Sequence, residues 1–173
     1  MVQLGGEYNF FSLKDNDMAS VLRKAIIGAV FMAGFVSQSY AIDYSDGLFD
    51  KTFRSPSGNI VCMGDSKDTN DSYLRSGVSC LNFNATPPSS ARPKPKDCDL
   101  DWTPSLSINK TGKAKNNGEC HGDIFWNPEA KILPYGKTIV GKGWQCQSQT
   151  KGIICSNSTN NGFFINKKVH KTW

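Results

Sequence analysis

The chain contains two histidines, the residue type whose ordinary pKa lies nearest neutral pH. His121 follows Cys120 and precedes Asp123 by two residues, so a base with a carboxylate partner is one hypothesis. A surface turn beside a disulfide is the alternative that we favour. His170 lies in a basic tail, and no serine stands in a nucleophile-elbow pattern. We therefore predict no catalytic residue and no enzyme.

An acidic run could bind a cation. Asp97, Asp99 and Asp101 alternate like the first ligands of a calcium loop. Such a loop needs glycine at its sixth position and glutamate at its twelfth, where this chain has Trp102 and Ile108. A solvated acidic face is the better interpretation, and we predict no metal and no cofactor.

The six cysteines lie in the second part of the chain, after Ala41. An even number in a small exported domain indicates a disulfide framework. The sequence alone does not select one pairing, but local spacing favours the sequential set: Cys62–Cys80, Cys98–Cys120 and Cys146–Cys155. The closest pair, Cys146 and Cys155, is too widely spaced for the CxxC-type pairs of a zinc site.

Two of these pairs lie in hairpin patterns. Strand-like segments ending at Cys146 and Cys155 flank the polar stretch 147–151. Similar segments ending at Cys62 and Cys80 flank a longer polar loop. Facing residues on antiparallel strands approach closely enough for a disulfide.

Aromatic and basic side chains are the remaining candidates for a binding surface. We predict that most of the large aromatic residues are core, with the terminal Trp173 as the exception; they are Trp102, Trp126, Trp144, Trp173 and Tyr135. Five lysines would meet if the last three strands pair, and they form a candidate basic patch: Lys142, Lys151, Lys167, Lys168 and Lys171. An ordinary solvated surface is the alternative.

The net charge of +5 agrees with an anionic partner, since the first 41 residues are electrically neutral. Their three basic residues cancel three acidic ones: Lys14, Arg23 and Lys24 against Glu7, Asp15 and Asp17.

The elements that must position these residues are short strands, rich in β-branched and aromatic residues and separated by Gly, Pro, Asn and Ser. The predicted strands are Ile60–Met63, Val78–Phe83, Leu106–Ile108, Ile124–Trp126, Lys137–Val140, Gly143–Gln147, Ile153–Ser156 and Gly162–Asn166. No segment shows a convincing helical period. The predicted fold is mostly β, a small antiparallel sandwich or barrel with three disulfides.

The connections between strands have clear signals as well. Ile42–Lys51 is predicted to be a polar lead-in, and the proline-rich segment Ala85–Lys96 an extended surface loop whose end Cys98 ties down. Turns are predicted at Asn117-Gly118 and Asn161-Gly162.

The first 41 residues resemble an export signal. A basic segment beginning at Met18 precedes the apolar run Ala25–Val36, and Ser39 and Ala41 place small residues before a cut after Ala41. The apolar run is too short to span a bilayer. We expect 1–41 to be an upstream extension and signal peptide, with the start at Met18, and 42–173 to be one disulfide-stapled domain without a membrane span. The expected location is periplasmic or secreted.

A series of motifs gives the chain a family resemblance. It opens with Phe53-x-Ser55-Pro-Ser-Gly-Asn-Ile-Val-Cys62, and continues with Cys98-x-x-Asp-Trp102, Cys120-x-Gly-Asp123, Leu133-Pro-Tyr-Gly136, Trp144-x-Cys146, Gly152-x-x-Cys155-x-Asn157 and Gly162-Phe-Phe-Ile165. The series resembles a family of small exported bacterial proteins classed as a domain of unknown function. The resemblance implies an exported domain with paired cysteines and implies no activity. One departure is Thr103, where the family tends to have glycine.

The function predicted from these observations is an exported binding or inhibitory module of the bacterial envelope, which uses a rigid basic β surface. Its expected partner is an envelope protein or an anionic cell-wall component, and no nucleic acid is expected. One alternative is a structural or protective envelope protein without a discrete ligand. Another is a small secreted hydrolase that uses His121 and Asp123.

Overall fold

The computed structural model describes residues 42–72, 74–84, 86–122, 127 and 129–173. The predicted leader 1–41 and the predicted strand Ile124–Trp126 lie outside these residues. The described residues form strands and connecting segments, and they include no helix of the length and apolarity that a membrane span requires. The strands are β1 Phe49–Arg54, β2 Ile60–Ser66, β3 Gly77–Asn82, β4 Asp101–Asn109, β5 Lys115–His121, β6 Lys131–Ile132, β7 Thr138–Val140, β8 Trp144–Gln149, β9 Gly152–Asn157, β10 Gly162–Ile165 and β11 His170–Thr172.

The strands form two sheets. The first has the order β5-β4-β3-β2-β1-β6, and its pairs are antiparallel except for β1 and β6. The second is an antiparallel meander of order β11-β10-β9-β8-β7. Neighbouring strands in a meander are joined by short turns, so the turns collect at the two ends of the sheet.

One hydrophobic core lies between the sheets and takes alternate residues from both. Phe53 and Leu106 come from the first sheet and Ile153 and Phe163 from the second, and all four are fully buried. Alternation of this kind is what an antiparallel strand with one covered face requires. The arrangement is a β-sandwich, so the predicted fold class is confirmed.

The three disulfides are the sequential set that local spacing favoured. Cys62 faces Cys80 directly across β2 and β3, with Cα atoms 4.0 Å apart. Cys146 faces Cys155 across β8 and β9 at 4.1 Å. These four cysteines are fully buried, and the Sγ atoms of Cys80, Cys146 and Cys155 lie within 4.8 Å of one another. The two hairpin disulfides therefore pack against each other across the core.

A buried carboxylate also joins the sheets. Asp65, in β2, is 1% exposed and has a φ of 56°. It accepts hydrogen bonds of 2.8 Å from the indole nitrogen of Trp144 and from the backbone nitrogen of Lys142. Both donors belong to the second sheet or its first turn, so Asp65 fixes the spacing of the sheets at that end.

The proline-rich loop closes one side of the sandwich. The Ser90 hydroxyl accepts a bond from the His170 backbone nitrogen on β11, and the Ser90 carbonyl accepts one from the Asn116 side chain on β5. Disulfide Cys98–Cys120 fastens the chain to β5 just beyond the loop. As predicted from its prolines, the described part of the loop contains no strand.

The sequence-based strand predictions were right for β2, β3, β7, β8, β9 and β10, and they found only the C-terminal part of β4. The end of the predicted lead-in is part of β1, because Phe49 and Lys51 pair with Ser66 and Gly64 of β2. The turn predicted at Asn117-Gly118 is wrong: both residues lie inside β5 and pair with Ser105 and Pro104.

Candidate functional site

An open cleft of about 490 Å³ lies at one end of the sandwich, where turns from both sheets meet. We call it the end cleft. Its walls are the β1–β2 turn, the end of β3, the connection between β6 and β7, and the β8–β9 and β10–β11 turns. The described lining residues are Ser55, Ser57, Asn59, Ile60, Asn84, Tyr135, Gln149, Thr150, Lys151, Gly152, Phe164, Asn166, Lys167 and Lys168.

The β1–β2 turn is fixed by its own serines and glycine. Gly58 has a φ of 78° and donates its backbone hydrogen to the Ser55 carbonyl at 2.9 Å. This left-handed conformation suits glycine, which has no Cβ. The Ser55 hydroxyl accepts a bond from the Ile60 nitrogen at 3.2 Å and lies 3.1 Å from the Ser57 hydroxyl. The turn therefore presents Ser57 and Asn59 to the cleft in a defined position.

A single asparagine joins the two turns that carry the lysines. The Asn166 side-chain oxygen accepts bonds from the backbone nitrogens of Lys168 (2.7 Å) and Val169 (2.8 Å), which closes the β10–β11 turn. The Asn166 side-chain nitrogen donates to the Lys151 carbonyl at 2.8 Å, in the β8–β9 turn. Lys151, Lys167 and Lys168 consequently share one wall of the cleft.

The charge of this wall is not compensated locally. The lining contains three lysines and no aspartate or glutamate within the residues that the structure describes. In the same part of the chain, the three ammonium groups have no ion-pair or hydrogen-bond partner. Uncompensated cations on a concave surface concentrate positive potential and attract anions.

Two of the five lysines in the predicted patch are elsewhere. Lys142 lies in the β7–β8 turn, at the opposite end of the sheet from Lys151, and its ammonium contacts the Asp50 carboxylate at 2.8 Å. That hydrogen bond raises the pKa of Lys142. Lys171 lies on β11 as the register partner of Phe164 and does not line the cleft. The meander explains the position of Lys142, because successive turns of a meander lie at alternate ends of the sheet.

Aromatic rings complete the cleft. Tyr135 stands in a tight turn. The turn is closed by a hydrogen bond from the Lys137 nitrogen to the Pro134 carbonyl, and Gly136 in it has a φ of 79°. The Tyr135 side chain is 49% exposed, so its expected place in the core is wrong. Phe164 points away from the core and lies against Gly152, where an added Cβ would meet the ring at 3.0 Å.

A buried polar group lies under the cleft. The Asn82 side-chain nitrogen donates to the Asn166 carbonyl (3.1 Å) and faces the Nε2 atom of His170 at 3.0 Å. The Asn82 side-chain oxygen accepts bonds from Asn84, another cleft residue. Because Asn82 is the donor, His170 Nε2 must be an unprotonated acceptor. Burial lowers the pKa of His170 to about 4, so the predicted basic tail contains a neutral, buried histidine.

The other candidates from the sequence lie away from the cleft. His121 Nε2 lies 2.9 Å from the Thr103 hydroxyl, and its expected partner Asp123 lies outside the described residues. Trp144 is core, as predicted, and Trp126 lies outside the described residues. Trp102 is only partly buried: its ring covers Gly118, and its indole nitrogen donates to the Arg92 carbonyl. Trp173 is 44% exposed and packs on Gly162.

Two further groups of residues have the form of a site but not its chemistry. The described cysteine cluster that could hold a metal, Cys80, Cys146 and Cys155, consists of disulfide sulfurs. A groove of about 470 Å³ between the proline-rich loop and β4 carries Arg92 and Lys94 together with Asp101, so its charges are mixed.

Sequence reasoning found the three lysines of the cleft and missed its other walls. Ser55, Asn59, Tyr135 and Phe164 are distant in sequence, and periodicity gives no reason to bring them together. The signal that could have found them is the motif series, since three of its motifs, those beginning at Phe53, Leu133 and Gly162, supply these residues to one cleft.

Comparisons with known proteins place the chain in a family without giving it a function. Neither the curated proteins nor the solved structures contain a match to this chain. A protein-family model, described as a family of unknown function (DUF6636), matches residues 28–171. The matched range includes β1 to β10, the first two residues of β11 and the whole lining of the end cleft. The chain therefore belongs to the DUF6636 family.

Proposed function

We propose that this protein is an exported binding module of the bacterial envelope, and that it holds an anionic envelope component in the end cleft. The observation that carries the proposal is the cluster of Lys151, Lys167 and Lys168 on one wall, without a carboxylate among the described lining residues. When an anionic polymer binds a surface of this charge, the counterions of the polymer are released into solution, and this release favours binding.

The scaffold supports this role because it holds the cleft in one shape. The hydrogen bonds of Asn166 fix the two lysine turns to each other. Disulfide Cys146–Cys155 joins β8 to β9, the two strands that the Lys151 turn connects. A binding site that is ordered before the ligand arrives loses less entropy on binding.

Export and an envelope location belong to the same proposal. Three disulfides indicate an oxidising compartment, extracellular or periplasmic. The segment 1–41, with its basic, apolar and small-residue regions, is the proposed secretory signal.

The proposal is tested with a charge-matched pair of variants. The first variant carries Lys151→Gln, Lys167→Gln and Lys168→Gln. The control carries Lys94→Gln, Lys96→Gln and Lys113→Gln, which remove the same charge from exposed positions outside the cleft. Oxidised protein produced from the full chain is passed over immobilised anionic polymers, purified from the source cell's envelope by anion exchange.

We expect the wild-type protein and the control to bind, and to release the polymer as salt rises. The cleft variant should bind more weakly, and its plot of log affinity against log salt should be flatter by roughly 2, since three cationic contacts are gone. Equal loss in both variants would mean that only net charge matters. No binding by the wild-type protein at low salt would also refute the proposal.

A further inference from the structure

We propose that the end cleft recognises an acidic glycan, an oligosaccharide whose sugar rings carry carboxylates. This inference deepens the proposed function and rests on it. The observation beyond charge is the presence of an exposed tyrosine and of neutral hydrogen-bonding groups in the same cleft as the three lysines.

The aromatic surface is suited to a sugar ring. One face of a pyranose presents C–H groups, which pack on the flat face of an aromatic side chain, while the hydroxyls at the edge stay available for hydrogen bonds. Tyr135 is 49% exposed, and its turn is held by two backbone hydrogen bonds. The Lys137 nitrogen donates to the Pro134 carbonyl at 3.0 Å, and the Gly136 nitrogen donates to the Ser148 carbonyl of β8 at 2.7 Å. Its hydroxyl has no partner within the described residues. Rigid aromatic groups of this kind give large contact area at low entropy cost.

The groups that face the lysines are neutral and short. Ser57 and Asn59, from the β1–β2 turn, offer a hydroxyl and an amide to the cleft, and Thr150 adds a hydroxyl beside Lys151 in the β8–β9 turn. The Asn59 side chain has no hydrogen-bond partner in the part of the chain that the structure describes. Such groups both donate and accept, which matches sugar hydroxyls, whereas a simple polyphosphate offers acceptors alone.

The lysines then select sugars that carry a negative charge. Their ammonium groups are point charges with three donors each, and they need no fixed geometry to pair with a carboxylate. The cleft volume of about 490 Å³ lies within the range of roughly 300–1,000 Å³ that is usual for small-ligand sites. A short segment of a glycan chain is therefore a better match than an extended polymer track.

Six probes test the inference against its rivals by titration calorimetry with oxidised protein produced from the full chain. Three are acidic tetrasaccharides: tetragalacturonate, tetramannuronate and a hyaluronan tetramer. A neutral chitin tetramer tests sugar without charge, and inorganic tripolyphosphate tests charge without sugar. The single-stranded oligonucleotide dT4, which offers charge with stacking bases, is added because a basic cleft with an aromatic ring also suits nucleic acid.

We expect at least one acidic tetrasaccharide to bind about tenfold more tightly than the chitin tetramer, tripolyphosphate and dT4. Tyr135→Ala should weaken that binding by about tenfold, because the ring contact is lost, and Tyr135→Phe should preserve it. Lys113→Gln, at the far end of the sandwich, should bind like the wild-type protein. Unchanged melting temperatures show that the variants are folded.

The outcomes separate the two proposals. If tripolyphosphate or dT4 binds at least as tightly as every acidic tetrasaccharide, the glycan inference is wrong, while an anion-binding cleft remains. If Tyr135→Ala leaves the affinity unchanged, the sugar does not lie on the ring, and the inference fails as well. If none of the probes binds and the cleft-lysine variant also behaves like the wild-type protein on envelope polymer, both proposals fail.

Discussion

His170 shows how burial changes the chemistry of a single residue. Its side chain is 5% exposed, and its Nε2 atom faces the Asn82 amide nitrogen at 3.0 Å. Protonation would place two donors against each other, so the fold favours the neutral ring. Among the described residues, Asn82 bonds the His170 ring and Ser90 bonds its backbone nitrogen, and neither side chain carries a charge that could compensate an imidazolium.

Stability should therefore fall as the pH falls. Burial lowers the pKa of His170 from 6.5 to about 4, so the unfolded chain binds a proton in this interval that the folded chain does not. The neutral His170 ring therefore contributes up to about 3 kcal/mol to the free energy of unfolding. This contribution is complete above pH 6.5 and is lost as the pH falls towards 4. Urea unfolding at several pH values measures it.

A substitution separates the effect of His170 on stability from that of the carboxyl groups, which titrate in a similar pH range. His170→Gln keeps an acceptor for Asn82 and removes the titration. We expect the variant to lose less free energy of unfolding than the wild-type protein between pH 6.5 and pH 4.5. The two curves should run parallel between pH 7 and pH 9. Identical curves across the acidic interval would show that His170 is protonated in the folded state.

At the scale of elements, tryptophan rings and glycines pair between neighbouring segments. The Trp102 ring covers Gly118 of β5, Trp173 covers Gly162 of β10, and Trp144 packs against Gly64 of β2. A glycine in a strand leaves a gap, and the adjacent ring fills it. These contacts explain how strands with few apolar side chains are held in register.

Gly64→Ala should destabilise the fold. An added Cβ would lie 2.5 Å from the Trp144 ring and 2.7 Å from the Gly77 carbonyl oxygen, which is backbone and cannot move aside cheaply. Overpacking of this kind costs about 1–3 kcal/mol. Thermal unfolding should show a lower melting temperature for Gly64→Ala than for Gly47→Ala, whose Cβ meets nothing within 4 Å. Equal melting temperatures would mean that Trp144 repacks without cost.

The sequence could predict some strands and not others, and the apolar pattern of each strand decides which. β8 alternates apolar and polar residues, and β9 and β10 carry short apolar runs, each between turn signals, so the existence and the order of these strands were readable. β5, with the sequence KNNGECH, has no apolar alternation, and its strand character comes from β4, the Trp102 ring and disulfide Cys98–Cys120.

The sequence could predict only the part of the end cleft that the meander of β7 to β11 forms. Pairing of the last strands brings Lys151 near Lys167 and Lys168. The β1–β2 turn, with Asn59, belongs to the first sheet, so its place in the cleft depends on how one sheet packs against the other. That arrangement is set by the core and by contacts such as Asp65 with Trp144, which local patterns in the sequence do not specify.

At the scale of the whole molecule, the disulfides divide into a buried class and an exposed one. The cysteines of Cys62–Cys80 and Cys146–Cys155 are fully buried in the core. In the third pair Cys98 is 6% exposed, but Cys120 lies exposed on the edge strand β5, so this bond can be reached at one of its sulfurs. Thiol–disulfide exchange needs a thiolate to reach a sulfur, so access decides which bond is reduced first.

Mild reduction should therefore be selective. We expect low concentrations of dithiothreitol, followed by alkylation and mass spectrometry, to label Cys98 and Cys120 while the protein remains folded. The other four cysteines should be labelled only when urea unfolds the chain. Simultaneous labelling of all six cysteines under native conditions would contradict the buried position of the two hairpin disulfides.

The order of the pairs along the chain has a consequence for biosynthesis. The three bonds do not interleave: each joins a cysteine to the next one in the sequence, with separations of 18, 22 and 9 residues. A chain that enters an oxidising compartment from its N-terminal end thus presents each native partner before any competing cysteine. An oxidant that joins each newly emerged cysteine to the unpaired one before it makes the native set directly, and leaves no incorrect bond for an isomerase to rearrange.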